Sequence, residues 1–507
     1  MMMTHETDAL KGKNADLLGL LDEMRTRVHE AAQNGTPVHE VERAVWKQVL
    51  RLGYLLLKEF FALLGTGDLG ERVTLPEGRV CERLEEIHPR RYVSIFGEFV
   101  LNRVVYGSRE GQKIDFVPLD NRLQLPDGVF SYFLQDWDQG FCVEEAFGHV
   151  AQTILRMFEL KQSVDSLEHM NAQMAKQVDD FRAERPLPSA ADEGVIVASS
   201  ADGKGVVMRR ADGEAAPPAH RTKGEKASRK EMAIVGAVYT VDRHVRTAEQ
   251  VVAALFGDQD QNSAAKPPRP KPCHKQTMAS LASTDAEGKH SGIEKTYQWL
   301  LEELWRRNRG FAKEMVHLCD GQQALWDARQ VYLPQRNTTN ILDLLHVTPR
   351  LWQAAHLFNR EKSDEAEQFV RERVLRVLQG KVELVIRGLR EMGTKRQLTG
   401  TKKTKLKKLC AYLENNRERM RYDEYLAKGY PIASGVIEGA CRHLVKDRME
   451  RAGMHWTRAG AQAMLDVRSI QITGAWDQYQ AFRIAYETKR LYPWRELVDG
   501  ENYRLAA

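Results

Sequence analysis

No stretch of this chain approaches the ~20 consecutive apolar residues that a bilayer crossing requires. The nearest candidate, LGYLLLKEFFALLG, is broken by Lys58 and Glu59. No membrane association is expected. The amino-terminal MMMTHETDALKGKNADLL is polar and has no apolar signal core, so a cytoplasmic address is expected. Cysteine is scarce and scattered: Cys81, Cys142, Cys273, Cys319, Cys410 and Cys441 never form a CxxC pair. That spacing argues against a structural zinc site, and a disulfide framework does not suit a chain of this size. Charge of one sign is lacking too. Lys and Arg number 75 against 70 Asp and Glu, a net charge of +5. Any affinity for a polyanion must therefore come from clustering.

What is present is ample for globular folding. The 507 residues exceed what one core serves, and roughly three domains are expected. Hydrophobic residues at 42% and charged residues at 29% are ordinary for a folded protein. One cluster of charge stands out. Between Arg387 and Arg421 there are twelve Lys and Arg, including Lys402, Lys403, Lys405, Lys407 and Lys408, against three Glu. This concentration suits DNA, although a solvated helical hairpin has the same composition.

Apolar residues at helical spacing in VERAVWKQVLRLGYLLLKEFFALL predict a helical region over 1–90. From Arg91 the period changes to that of strands, and GSREGQ reads as the turn of a β-ribbon spanning about 91–118. Two helices follow within 141–190. They fit a helix-turn-helix with Ser163 capping the second helix, or a dimerising coiled coil. In the latter, Leu160, Val164, Leu167, Asn171, Met174, Val178 and Phe181 would form the seam. An ordinary amphipathic helix packed on its own domain is the third reading. RAERPLPSAADE marks a boundary near 183–193, and the polar stretches at about 208–230 and 257–292 read as loops, the second flexible. Between and after them come a strand ending at Asp202, the strand-like EMAIVGAVYTV, the helix IEKTYQWLLEELWRRN, the strand EMVHLC and a further element at NILDLLHVTPRLW. That order indicates an α/β core.

Three acidic residues carry the chemistry. Asp202 and Asp320 follow short apolar runs and precede Gly203 and Gly321, and Glu438 sits in PIASGVIEGACRHLVKDRMERAGMHW. Converging carboxylates are hard oxygen donors suited to Mg²⁺ or Mn²⁺, and two such ions serve in-line displacement at phosphorus. Asp-Gly is a common turn signal. Glu438 lies four residues before Arg442, the spacing of a helical surface ion pair, with Lys446 on the same face. Ser434 is placed to cap the helix that carries Glu438. Asp343 and His346 form a secondary candidate pair able to orient a phosphate, against the usual structural role of a lone His.

With these motifs in view, the chain resembles the ISKra group of bacterial insertion-sequence transposases, within the DDE class. The match is carried by YPIASGVIEGACRHLVKDRMERAGMHWTRAGAQAMLDVRS, SADGKGVVMRR, KEMAIVGAVYT and HLCDGQQALW, and it runs from about residue 91 to about 490. The resemblance implies an RNase H-like mixed sheet with flanking helices at 191–358 and 426–475. A basic helical insertion at 359–425 would interrupt it, with a tail at 476–507. It implies that Asp202, Asp320 and Glu438 are the catalytic metal ligands for two Mg²⁺ or Mn²⁺, with His346 assisting and Asp343 secondary. Arg442, Lys446 and the five lysines of 402–408 would contact DNA. The 1–90 and 91–140 regions would recognise terminal inverted repeats, and a homo-oligomer of at least a dimer would join the ends to target DNA at the nucleoid. A DNA-binding protein without catalysis and a nuclease without strand transfer are the other expectations.

Overall fold

The computed structural model describes residues 4–108, 114–209, 230–258, 269–285, 288–451, 453–499 and 503. They fall into two compact units, Met1–Gln177 with Asp477–Ala507, and Val178–Trp476. Among the described residues no helix is long and apolar enough to cross a membrane.

The first unit begins with the long helices α1 (Thr4–Gln33) and α2 (Val38–Leu64). The expected helical region stops there. Residues 72–83 are short strands β1 (Arg72–Thr74) and β2 (Val80–Arg83), whose alternation is too brief to register as a period in sequence. The β-ribbon exists, but its central hairpin lies earlier than expected. β3 (His88–Ser94) and β4 (Gly97–Arg103) pair antiparallel, with Tyr92 opposite Phe99 and the turn at Ile95–Phe96. β5 (Tyr106–Gly107) and β6 (Ile114–Phe116) lie at either end of the GSREGQ segment, of which residues 109–112 lie outside the described residues. The ribbon's arginines are partly neutralised within the unit: Arg90 and Arg103 converge on Asp120, and Arg91 pairs with Glu98.

α3 (Pro118–Leu123), α4 (Tyr132–Cys142), α5 (Phe147–Phe158) and α6 (Val164–Ala175) follow. Ser163 caps α6 by accepting from Ser166 N at 3.1 Å. The continuous coiled-coil seam is absent. The helix is interrupted at Lys176–Gln177, and Asn171 is buried, donating to Gln139 Oε1 of its own chain at 2.9 Å. Burial of Leu167, Met170 and Met174 against α4 and α5 has consumed the apolar stripe.

The second unit opens with α7 (Val178–Glu184) and is built on one five-stranded sheet. Its members are β7 (Ile196–Val207), β8 (Lys230–Val241), β9 (Cys273–Ser280), β12 (Glu314–Cys319) and β13 (Thr338–Leu342), in the order β13-β12-β7-β8-β9. β12 and β13 run parallel to β7, while β8 and β9 are antiparallel. β8 is buried on both faces over Ala233–Val241, which is why its sequence is an unbroken apolar run. The stretch expected as a flexible loop at 257–292 contains β9. Its outer half is polar and hides the strand in sequence, while Thr277–Ser280 are buried. The small hairpin β10 (Ser283–Asp285) and β11 (Gly288–His290) follows.

Helices cover both faces. α8 (Ala248–Phe256) carries a Thr247/Gln250 capping box. α9 (Gly292–Arg307) and α10 (Gln323–Tyr332) pack on one face through Tyr297, Leu300, Leu304 and Trp326. On the other lie α11 (Leu344–Phe358), α12 (Asp364–Leu378), α13 (Val382–Lys395), α14 (Gly400–Asn415) and α15 (Tyr422–Ala427), which share a single buried cluster with Ile196, Ala198, Val316 and Leu318 of the sheet. The basic 359–425 segment is thus part of that core. The chain then forms α16 (Gly435–Ala440), a π-helical turn at Cys441–Lys446, α17 (Asp447–Met449) and α18 (Arg458–Ile472). The expected tail is instead helix α19 (Trp476–Leu491), after which Val498 and Tyr503 enter the first unit's core.

Candidate active site

Side chains alternate between the faces of a strand, so parallel neighbours in register share a face row by row. Ala201 of β7 stands opposite Cys319 of β12, which stands opposite Leu342 of β13. The next row is Asp202, Asp320 and Asp343. Asp343 N donates to Cys319 O at 2.9 Å, extending the ladder by one residue. Asp202 and Asp320 are therefore adjacent at one end of the sheet.

Asp202 is not a turn residue. β7 runs on through Gly203 and Gly205 to Val207, pairing with β8 throughout. The turn reading of Asp202-Gly203 is corrected: a side chain at Gly203 would press on Met232 Cε at 2.9 Å, so the glycine permits close strand packing. At Gly321 the requirement is stronger, because any side chain would collide with the ring of Tyr412.

α16 is held to this row by two contacts. Asp343 Oδ2 accepts from Ser434 N at 3.0 Å, while its Oδ1 accepts from Leu345 N at 2.8 Å and so caps α11. Ser434 caps α16 by accepting from Ile437 N at 3.3 Å, and its hydroxyl meets that of Ser200 at 3.0 Å. Asp343 is thus fully buried and fully engaged, a clamp between the third strand and the helix that bears Glu438. Burial pushes its carboxyl above the usual range, against the two backbone donors.

Glu438 is half-exposed, its carboxylate 4.0 Å from Nε2 of His346. Its expected partner Arg442 lies instead 3.7 Å from Asp447. α16 gives way to the π turn at Cys441, and the wider turn breaks the four-residue register that would stack Glu438, Arg442 and Lys446. Arg442 and Lys446 are both exposed. The buried thiol of Cys441 donates to Asp202 Oδ2 at 3.5 Å.

Burial raises the Asp202 carboxyl above its ordinary value, and the charge of Asp320 adds to that, while the Gly203 N–H, His346 and Cys441 oppose it. Asp320 Oδ1 accepts from Gln322 N at 2.8 Å. Beside it opens a cavity of about 440 Å³ whose lining includes Asp320, Gln322, His346, Arg350, Gln353 and Tyr412. The guanidinium of Arg350 lies 4.8 Å over the Tyr412 ring, a cation–π contact at the cavity wall.

Among the described residues no three acidic, histidine or cysteine side chains already form a metal-binding group. The donor set nevertheless suits a hard cation. Asp202 is half-buried with carboxylate Asp320 beside it, and among the described residues its oxygens accept a backbone N–H and a thiol.

All five lysines Lys402, Lys403, Lys405, Lys407 and Lys408 of α14 are exposed, but they encircle the helix. Lys405 and Lys408 lie seven and four residues before Tyr412, on its side of α14, whereas Lys403 and Lys407 point away from it.

Three residues and one pairing were not expected from the sequence. Lys204 shares Asp202's face of β7, two residues on, and its charge reaches Cys441. Arg350 follows His346 by one helical turn, a signal that was readable in HVTPR. Tyr412 and the pairing of Ser434 with Asp343 left no local signal. No protein-family model matches the chain, and no curated protein matches it.

Proposed function

We propose that the second unit is an RNase H-like catalytic core and that the chain is a DNA transposase of the DDE class, acting as at least a dimer on the ends of its mobile element. The observation that carries this reading is the register of three strands, which sets Asp202 beside Asp320 while the third strand's Asp343 fixes the helix bearing Glu438.

In this reading Asp202, Asp320 and Glu438 would hold two Mg²⁺ or Mn²⁺ ions. Bound there, such ions supply charge to a water or 3′-hydroxyl and to the leaving oxygen in displacement at phosphorus. The chain's own groups do the rest. His346, within reach of Glu438, would donate to a phosphate oxygen of the scissile strand. Lys204 and Arg350 would hold the neighbouring phosphates, with Tyr412 fixing the plane of Arg350. The Asp343–Ser434 clamp would keep Glu438 at the strand ends. Lys405 and Lys408 would extend the positive track along α14, and the first unit would read the terminal repeats by phosphate contacts for position and base contacts for sequence.

Purified protein incubated with DNA bearing the element's ends, with and without Mg²⁺, tests the proposal. Metal-dependent nicks followed by joined products are expected. Nicks without joined products make the chain a nuclease, and tight binding without nicks makes it a binding protein; either result overturns the proposal.

A further inference from the structure

A second concavity of about 650 Å³ lies on the other side of α16. Its lining includes Val436, Gly439 and Ala440 of that helix, yet none of Asp202, Asp320, Asp343, His346 or Glu438. Two kinds of wall meet there. Tyr239, Ile432, Val436 and Ile472 give apolar lining, and Arg246, Arg269, Lys271 and Lys275 give cationic lining, with His244 beside them. The one acid in the lining, Asp242, accepts from Val195 N at 3.3 Å.

Among the described residues none of these cations is in an ion pair. Arg246 is fixed by donating to the carbonyls of His244 and Tyr430 at 3.2 and 3.0 Å. Burial lowers its pKa, and Arg269, another cation, lowers it further. His244 is likewise depressed by burial and then by Arg246 and Arg269. Like charges gathered beside a partly apolar hollow cost free energy in the empty protein, and an anion bound among them relieves that cost. A bare phosphate would leave the apolar lining unused, and a volume of this size is that of small-molecule sites.

We infer that this cleft binds a nucleotide unit, with its base against the apolar lining of Tyr239, Ile432, Val436 and Ile472 and its phosphate among Arg246, Arg269, Lys271 and Lys275. The unit is either a free nucleotide or one nucleotide of a single DNA strand. The inference stands on residues outside the carboxylate cluster and does not rest on the transposase reading.

The test is protection of individual lysines from acetylation, read by peptide mass spectrometry on the full chain in EDTA. The probes are thymidine monophosphate, a short oligothymidylate and inorganic phosphate. Lys271 and Lys275 are expected to be protected about tenfold by a nucleotide probe and not by inorganic phosphate at matched concentration. Protection by the monophosphate assigns a free nucleotide, and protection by the oligonucleotide alone assigns a strand. Ile472→Trp, which crowds the apolar lining and leaves every cation in place, should abolish protection, with circular dichroism melting as the check on folding. Arg269→Glu should weaken binding about tenfold by fluorescence anisotropy. Equal protection by inorganic phosphate, protection unchanged in Ile472→Trp, or no protection by any probe overturns the inference. Asp202→Asn should leave protection intact while ending metal-dependent cleavage, so the two readings fail separately.

Discussion

Where β7 begins, Glu193 and Arg307 lie face to face with side chains 5% and 1% exposed, joined by bonds of 2.7 and 3.0 Å. Arg307 also donates to the carbonyl of His274 at 3.0 Å. Burial works against the Glu193 charge, but Arg307 and the Thr240 hydroxyl hold its carboxyl below the ordinary range. Six residues along the same strand from Ile196 stands Asp202, half-buried, with a thiol and one backbone N–H for company and a second carboxylate beside it. One end of the sheet has its charge neutralised as part of the architecture. The other sets two carboxylates, Asp202 and Asp320, side by side, and among the described residues neither is in an ion pair; residues held against stability in a cleft are candidates for chemistry.

The largest expected effect comes from the uncompensated end. Asp202→Asn, Asp320→Asn and Glu438→Gln should each lower metal-dependent strand cleavage at least about a thousandfold, roughly 4 kcal/mol of transition-state stabilisation, while leaving the far-ultraviolet spectrum unchanged. Wild-type nicking by any of the three, in a gel assay with Mg²⁺, would remove that residue from the site.

At the compensated end the same logic predicts the reverse, loss of fold before loss of chemistry. Arg307→Ala leaves Glu193 buried without its partner, which costs about 3–5 kcal/mol. Urea unfolding should show the midpoint shift, and Arg307→Met combined with Glu193→Gln should recover most of it. If the single variant is as stable as wild type, the contrast between the ends is lost.

Asp202 also bears on stability. Its folded pKa is raised, so the protein is most favoured where this carboxyl is protonated, at and below the ordinary carboxyl range. That stability is lost as pH rises through the raised value. Asp202→Asn should therefore melt like wild type in acid and about 2 °C higher at neutral pH, for about 1 kcal/mol of relief in a unit of this size. Added Mn²⁺ should raise the wild-type melting temperature and not that of the variant.

Much of this end of the sheet was legible in sequence. The apolar runs before Asp202 and Asp320, the parallel strand EMVHLC and the cap at Ser434 all express local rules, and the structure keeps them. What escaped depends on partners distant in the chain. Asp343 looked free to orient a phosphate with His346 because nothing local shows that Ser434, 91 residues away, takes its second oxygen. Glu438 and Arg442 had ideal helical spacing, and only the π turn at Cys441 undoes it. β9 was hidden because its outer residues are polar, and the α6 seam because a heptad pattern cannot tell a partner chain from α4 and α5. The terminal segment carries an ordinary amphipathic helix, yet where it packs is a tertiary fact.

The smallest effect distinguishes the lysines of α14, whose shared basic character in sequence conceals two directions. If phosphates run from the carboxylate row past Tyr412, then Lys405 and Lys408 lie on that track and Lys403 and Lys407 do not. Each phosphate neutralised contributes about 0.9 to the slope of log affinity against log salt. Lys405→Ala with Lys408→Ala should reduce that slope by about 2 in fluorescence anisotropy with terminal-repeat DNA, at little cost in stability because both side chains are exposed. Lys403→Ala with Lys407→Ala should reduce it by less than about half as much. Equal losses from the two pairs would mean that α14 attracts DNA only as a diffuse cation, and the carboxylate end of the sheet would then lack a directed approach along this helix.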